Sequence, residues 1–301
     1  MSMFSEVTRP LSPESFSSRL YAGEILKFSG FAAMQALVTA TRVFCEQGLA
    51  PKHPTQTYEQ GMHGEHAACL NGLHQRYNVD AEVRRCWLQV FEAVGLKLEH
   101  TAGDRLFLRF QTHHPEEASR GTDVATAPLP FHRDTWGSNL YAQVNWWAPV
   151  YAVDGTATMV LYPDFWSRPV KNTTASFELP AVVRRNRETP RTRVNVNELI
   201  PSIEQAVQEK FARPVVIEPG ELIAFSGAHL HRSIPNTSGR TRVSLETRTV
   251  AIPDVFAGRG AANIDGHARW MAPGWFKRLS DRESLATLLN VAPICPYSPI
   301  R

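Results

Sequence analysis

The sequence predicts one domain, mainly β with flanking helices: an antiparallel sandwich or open barrel with helices packed outside it. Three observations carry this. Apolar residues recur with a helical period through the first hundred residues. From residue 97 the period changes to alternation. The alternating runs are short and are separated by Pro, Gly and Asn turns.

The elements follow in order. In "DAEVRRCWLQVFEAVG", Val83, Cys86, Trp87, Val90, Phe91 and Val94 keep the i, i+3, i+4, i+7 spacing, and Gly95 stops the run. In "SGFAAMQALVTATRVFCEQG", Phe31, Met34, Leu37, Val38 and Phe44 share one side and Gly48 ends it. Both stripes read as core that covers a sheet, not as cofactor boxes. "RLFLRFQ" then sets Leu106, Leu108 and Phe110 opposite Phe107, Arg109 and Gln111. "NLYAQVNWW" sets Tyr141, Gln143, Asn145 and Trp147 opposite Leu140, Ala142, Val144 and Trp146. "ATMVLYP", "PVVIEPGELIAFSG" and "TRVSLETRTV" continue the strand series.

We read residues 1–301 as a single domain: a mainly helical part over 1–96, a β core over 97–252 and a C-terminal extension over 253–301. An insertion over 167–213 interrupts the core, with five arginines between 184 and 193 and a short helix expected from Pro201. The arginines lack interleaved aromatics, which favours a solvated flap over a nucleic-acid groove. Ser280-Asp281-Arg282-Glu283 reads as a capping box opening a last helix.

Bulk properties exclude several classes. A net charge of +3 gives no support to a nucleic-acid or membrane-surface role. Cysteines 45, 69, 86 and 295 form no CxxC pair and read as free thiols of a cytosolic protein. The amino terminus lacks a cationic start with an apolar core, and no apolar run nears 18 residues, so a soluble, unexported protein is expected. "MHGEHAACLNGLH", with His63, Glu65, His66 and His74, matches no zinc-protease spacing and reads as surface or capping histidines.

The chemistry lies elsewhere. "FHRDTWGS" places His132 and Asp134 two apart, one face of a strand if the segment is a strand. Imidazole plus carboxylate suits a divalent transition metal, but two ligands make no site. "FSGAHLHRSIPNTSGRTRVSLETR" offers His231, then Ser233, Asn236, Ser238 and, eleven residues on, Arg242. Two histidines and a carboxylate on one side of iron form a facial triad with three open positions. An arginine nearby is a bidentate partner for a carboxylate.

The pattern H-x-D followed about a hundred residues later by H-x-S-x-x-N-x-S-x-x-x-R resembles the iron(II)/2-oxoglutarate dioxygenases of the phytanoyl-CoA hydroxylase type. The resemblance covers roughly residues 97 to 252 and the helical amino-terminal part. It implies a double-stranded β-helix (a cupin-like jelly roll) with N- and C-terminal helices. It implies His132, Asp134 and His231 as iron ligands, and Arg242 on the distal carboxylate of 2-oxoglutarate with Ser233 assisting. Gln111, Gln143 and Asn145 are candidates for the other end of that cosubstrate. The implied reaction uses Fe(II), 2-oxoglutarate and O2 to oxidise an unactivated C–H of a small metabolite, by default hydroxylating it, with succinate and CO2 released. Desaturation or cyclisation could arise on the same site, and a non-catalytic binding protein on the same barrel is the alternative.

His229 and Arg240 share the eleven-residue spacing, but only the His231 register places Ser233, Asn236 and Ser238 correctly. His229 therefore reads as a neighbour or a packed residue. "YPDFWSR" stands where many relatives have a glycine-rich turn. Trp136, Trp146, Trp147 and Trp166 are expected around the mouth. Trp136, Arg109, Trp147 and Glu246 are the candidates for substrate contact. The flap, over about 167–196, is expected to be loose without substrate and to help hold an anionic group.

Overall fold

The computed structural model describes residues 3–57, 63–113, 128–188 and 199–297. Its strands are β1 (Ser5–Val7), β2 (Ile25–Phe28), β3 (Thr101–Gly103), β4 (Phe107–Gln111), β5 (Gln143–Pro149), β6 (Met159–Leu161), β7 (Arg213–Pro214), β8 (Leu222–Ser226), β9 (His231–Ser233), β10 (Arg242–Ala251), β11 (Trp270–Met271), β12 (Lys277–Arg278) and β13 (Cys295–Pro296). They form a large sheet in the order β1-β2-β8-β5-β10-β3-β12, with β4 also on β10, and a small sheet in the order β7-β6-β9. β11 and β13 pair separately. The long strand β10 takes β5 along one edge and both β4 and β3 along the other.

Alternation gives the large sheet two different faces. Leu108, Phe110, Val144, Trp146, Ala148, Leu222, Ala224, Val243 and Leu245 form one, and they share a core cluster with the helices. Those helices are α1 (Pro13–Tyr21), α2 (Ala32–Leu49), α3 (His63–Val79) and α4 (Ala81–Ala93). Trp146 stacks on Phe16 at 5.5 Å between ring centroids and meets the edge of Phe91 at 5.4 Å. Each apolar side chain fully buried there contributes roughly 1.5–3 kcal/mol, so this face anchors the sheet.

The stripe of α4 is buried as its period requires: Val83, Cys86, Trp87, Val90 and Phe91 face the core, and Asp80 caps the helix by accepting from Val83 N at 2.9 Å. Gly95 ends it at φ +103°, where an added Cβ would lie 2.0 Å from the Leu11 carbonyl oxygen. Gly48 is not a stop. It sits inside the last turn of α2, where a Cβ would strike Leu73 at 2.3 Å, so its smallness lets α2 approach α3. α3 in turn covers the outer edge of β4: the His74 ring bonds the Leu108 backbone, and Asn78 accepts from Leu106 N at 2.9 Å.

The other face carries Phe107, Arg109 and Gln111 of β4, Gln143, Asn145 and Trp147 of β5, and Arg242, Ser244, Glu246 and Arg248 of β10. The register sets Arg242 beside Gln111, Ser244 beside Arg109 and Arg248 beside Asn145. At one end of this face Ile25, Trp147, Ile223 and Phe225 pack against Met159 and Leu161 of the small sheet. The rest of the face is polar, an unusual use of buried surface.

Several expectations change. The amino-terminal part supplies two strands, β1 and β2, that its helical reading did not contain. No helix starts at Pro201: residues 199–208 form bends and one bridge, Asn172↔Ile203. The expected flap is firmly rooted over its described part. Val170 N donates to Asp265 at 3.1 Å, Thr174 is buried, and Glu178 bonds Arg269 and the Trp270 indole before a helix over Leu179–Glu188. Arg191 and Arg193 lie outside the described residues. Ser280–Glu283 is a turn, because Arg278 draws both Asp281 and Glu283, at 2.5 Å each, and Arg282 adopts φ 69°. The last helix starts only after Ser284. Among the described residues no helix is long and apolar enough to cross a membrane.

Candidate metal centre

His132 and His231 face each other across an antiparallel bridge, each backbone N–H donating to the other's carbonyl at 3.0 Å. Their rings lie 4.2 Å apart between centroids. After His132 the chain turns instead of continuing as a strand: Asp134 has φ −63° and ψ −30° and opens the short helix Thr135–Ser138. The strand parity expected for His132 and Asp134 does not apply, and the bridge plus one helical turn brings them together. Ligand atoms of His132, Asp134 and His231 all lie within 4.8 Å of one another, a group that could hold a metal ion.

Backbone carbonyls fix both imidazoles. His132 Nδ1 lies 2.7 Å from Pro130 O, and His231 Nδ1 lies 3.0 Å from His229 O. A carbonyl can only accept, so each Nδ1 carries the proton and each Nε2 lone pair is left for a metal. Burial first, and then the neighbouring His231, lower the His132 pKa to about 4, so its ring is neutral at pH 7.

The carboxylate is braced on both oxygens. Asp134 Oδ1 accepts from Arg248 Nη1 at 3.1 Å, and Oδ2 accepts from the Asn145 amide. Gln143 Nε2 donates to Asn145 Oδ1 at 2.9 Å and orients that amide. Arg248 also pairs with Asp104 at 2.5 Å and lies over the rings of Phe107 and Trp275. Burial alone would raise the Asp134 pKa; Arg248 and the two histidines outweigh it and hold the carboxyl below its usual range. Arg133, between the two ligands in sequence, points away. Its guanidinium is buried against Asp265 at 3.1 Å and the carbonyls of Ala228, Phe165 and Arg168, which ties the ligand turn to the root of the insertion.

The far end of β10's polar face differs. Arg242 is 4% exposed, yet its Nε and Nη1 have no hydrogen-bond partner among the described residues. Burial pushes its pKa down to about 10, against the opposing pull of Glu246. Across the register Gln111 donates Nε2 to Ile234 O, while its Oε1 has no donor among the described residues. Ser233 is buried on β9, two residues after His231 and on the same side of that strand. Between Arg242 and the metal group, Arg109 Nε bonds Glu246 at 3.0 Å.

Other sequence candidates fall into place. Asn236 and Ser238 build the turn before β10: the Asn236 amide donates to Gln111 O and Arg240 O, and Ser238 N donates back to Asn236 at 3.0 Å. Asn145 and Gln143 are engaged at Asp134, and all three candidate amides already donate to protein acceptors. His229 belongs to a turn, not to β9. Its Nε2 meets Gly23 O at 3.1 Å, and its ring lies against Trp166 at 4.5 Å. Burial lowers its pKa to about 3.

The expected cluster of tryptophans at a mouth does not form. Trp146 is on the helix-covered face, and Trp166 packs on Gly23 and His229. Trp136, in a helical turn where strand parity fails, is 1% exposed and donates its indole N–H to Asp265 at 2.8 Å. It packs in the core beside Val160, Tyr162 and Phe165. Trp147 stays on the polar side of the sheet but is 2% exposed in the cluster between the sheets. His74, read as a surface residue, is buried, and burial lowers its pKa to about 4. Sequence reasoning missed Arg248, Asp104 and Asp265. Arg248 was within reach, because six residues beyond Arg242 on one strand is the same face.

No protein-family model matches the chain, and no curated protein matches it. Solved structures give distant likenesses. The apo form of the non-heme monooxygenase ThoJ is 11% identical, covers 78% of this chain and 77% of its own, and has a TM-score of 0.42. EvdO2 from Micromonospora carbonacea var. aurantiaca, complexed with 2-oxoglutarate, is 11% identical over 82% and 94%, with a TM-score of 0.43. SnoK, a non-heme alpha ketoglutarate dependent carbocyclase from nogalamycin biosynthesis, is 14% identical over 81% and 87%, with a TM-score of 0.40.

Proposed function

We propose that the chain is an iron(II)/2-oxoglutarate-dependent oxygenase, on a double-stranded β-helix of the phytanoyl-CoA hydroxylase type, that oxidises an unactivated C–H of a small metabolite. His132, Asp134 and His231 are the metal ligands in this reading. Arg242, with Ser233 beside it, takes the distal carboxylate of 2-oxoglutarate. The observation that carries the reading is Arg242: a buried guanidinium with two N–H groups lacking partners among the described residues, on the sheet face that braces Asp134. A buried cation with unpartnered N–H groups is costly, and a carboxylate ligand removes that cost. A structural metal site needs no such group.

The donor set suits iron. Two imidazole Nε2 atoms and one carboxylate leave three positions open for cosubstrate and oxygen. Iron with 2-oxoglutarate and O2 supplies the oxidation of the C–H bond, with release of succinate and CO2. The chain's own part is placement. The carbonyls of Pro130 and His229 aim the imidazoles, and Arg248 with Asn145 keeps Asp134 ionised and fixed. The planar fork of Arg242 selects a carboxylate. Arg109 and Glu246 are the polar-face residues left for the prime substrate, and hydroxylation is the default outcome.

The test is anaerobic titration of purified protein with iron(II) and then 2-oxoglutarate, followed by succinate release on exposure to air. One metal per chain and metal-dependent 2-oxoglutarate binding are expected. Protein that takes iron but neither binds nor consumes 2-oxoglutarate is a binding protein on the same barrel, and the oxygenase reading fails.

A further inference from the structure

At its Arg242 end the polar face of the large sheet holds two arginines, Arg109 and Arg242, and one carboxylate, Glu246. Ser244 stands between Arg242 and Glu246 on β10, all three on one face, and Arg109 of β4 lies directly across from Ser244. Glu246 therefore shares this face with both guanidiniums. It bonds only one of them: Arg109 Nε reaches Glu246 Oε1 at 3.0 Å, and Ser244 Oγ supports the same oxygen at 3.3 Å. The pair is well shielded, with 8% of the Arg109 side chain and 22% of the Glu246 side chain exposed. The field of Glu246 still reaches Arg242, raising its pKa against the effect of burial, and Arg109 in turn acts on Glu246 more strongly than Arg242 does.

A carboxylate on the same strand face whose field reaches a cation with two N–H groups unpartnered among the described residues is a competitor for any carboxylate ligand. An internal carboxylate needs no translational entropy to bind, so it wins unless something else holds it. Resting on the cosubstrate reading above, we propose that Arg109 is a positioning residue for 2-oxoglutarate binding: by holding Glu246 it keeps that carboxylate off Arg242 and leaves the Arg242 fork open. Arg109 itself then makes no contact with the cosubstrate.

The test is calorimetric titration of manganese(II)-loaded protein with 2-oxoglutarate for wild type, Arg109→Gln, Glu246→Gln and the double variant. Arg109→Gln frees Glu246 to pair with Arg242 and should weaken 2-oxoglutarate binding at least tenfold, with manganese affinity unchanged. Glu246→Gln should bind 2-oxoglutarate as well as wild type or more tightly. The double variant, having no competitor left, should return to within threefold of wild type. A double variant as weak as Arg109→Gln means that Arg109 touches the ligand itself, which overturns the proposal. The double variant also decides the matter if Arg109→Gln alone does not fold. Wild type that binds manganese and ignores 2-oxoglutarate overturns the cosubstrate reading together with this proposal. Wild-type binding with an unaffected Arg109→Gln overturns the proposal alone.

Discussion

Arg248 and Arg242 lie toward opposite ends of one face of β10, the first half-buried and the second buried, on a sheet whose other face is a packed apolar core. Arg248 is saturated. It bridges Asp134 and Asp104 and is flanked by two aromatic rings, so its cation is fully spoken for within the fold. Arg242 is left open, with two N–H groups lacking partners among the described residues. The same residue type on the same strand thus serves two purposes. A satisfied buried arginine positions its neighbours, whereas an unsatisfied one waits for a ligand. Under the proposed function a second anion is expected at the Arg242 end.

The widest break in this picture comes from the ligands themselves. His132→Ala, Asp134→Ala and His231→Ala should each abolish binding of iron(II), read by metal content after dialysis. His229→Ala should keep most of it, because that ring is packed on Trp166 and Gly23. Metal lost with His229 and kept without His231 would move the centre to the other register. Next in size is the saturated end. Arg248→Met strands Asp104 and Asp134 without their shared cation, and breaking a buried pair of this kind costs about 3–5 kcal/mol. Unfolding in urea should show that loss, and metal affinity should fall roughly 10–100-fold because Asp134 loses a brace. Unchanged stability would mean that the bridge to Asp104 is ornamental.

The contrast between the two ends was only half visible in the sequence. Periodicity was enough to find α2, α4, β4, β5 and β10 and to assign their faces, because each has one side against a large apolar core. The three candidate ligands and Arg242 were legible as a spacing pattern. Illegible were the features set by tertiary bonds between distant segments. The H-R-D stretch looks like a strand, but Thr135 N bonds Gly227 O and the chain winds into a helical turn, which sends Trp136 to Asp265. The run 280–283 has capping-box letters, yet Arg278 claims its acids first. The root of the polar insertion is likewise set from afar, since Asp265, about a hundred residues away, accepts bonds from both Val170 and Arg133.

The open end yields smaller effects that sharpen the comparison. Arg242→Lys keeps the charge and loses the planar fork, so 2-oxoglutarate affinity should fall more than tenfold, over about 1.4 kcal/mol, while iron binding survives. A variant that binds 2-oxoglutarate normally would place the cosubstrate elsewhere.

The smallest effect has the opposite sign from that of Arg248→Met. Arg242→Met removes a buried cation lacking hydrogen-bond partners and fills its volume with an apolar chain, so the ligand-free protein should become more stable, by about 1 kcal/mol or more. For a domain of this size each kcal/mol is a rise in Tm of roughly 1.5–2 °C. Wild type should gain about 2.7 kcal/mol when 2-oxoglutarate is present at a hundred times its Kd, and the variant should gain nothing. The two melting curves should therefore exchange order when 2-oxoglutarate is added to the metal-loaded proteins. Curves that keep the same order, with Arg242→Met less stable throughout, would show that Arg242 is satisfied within the fold after all, and that the two ends of β10 do not differ in kind.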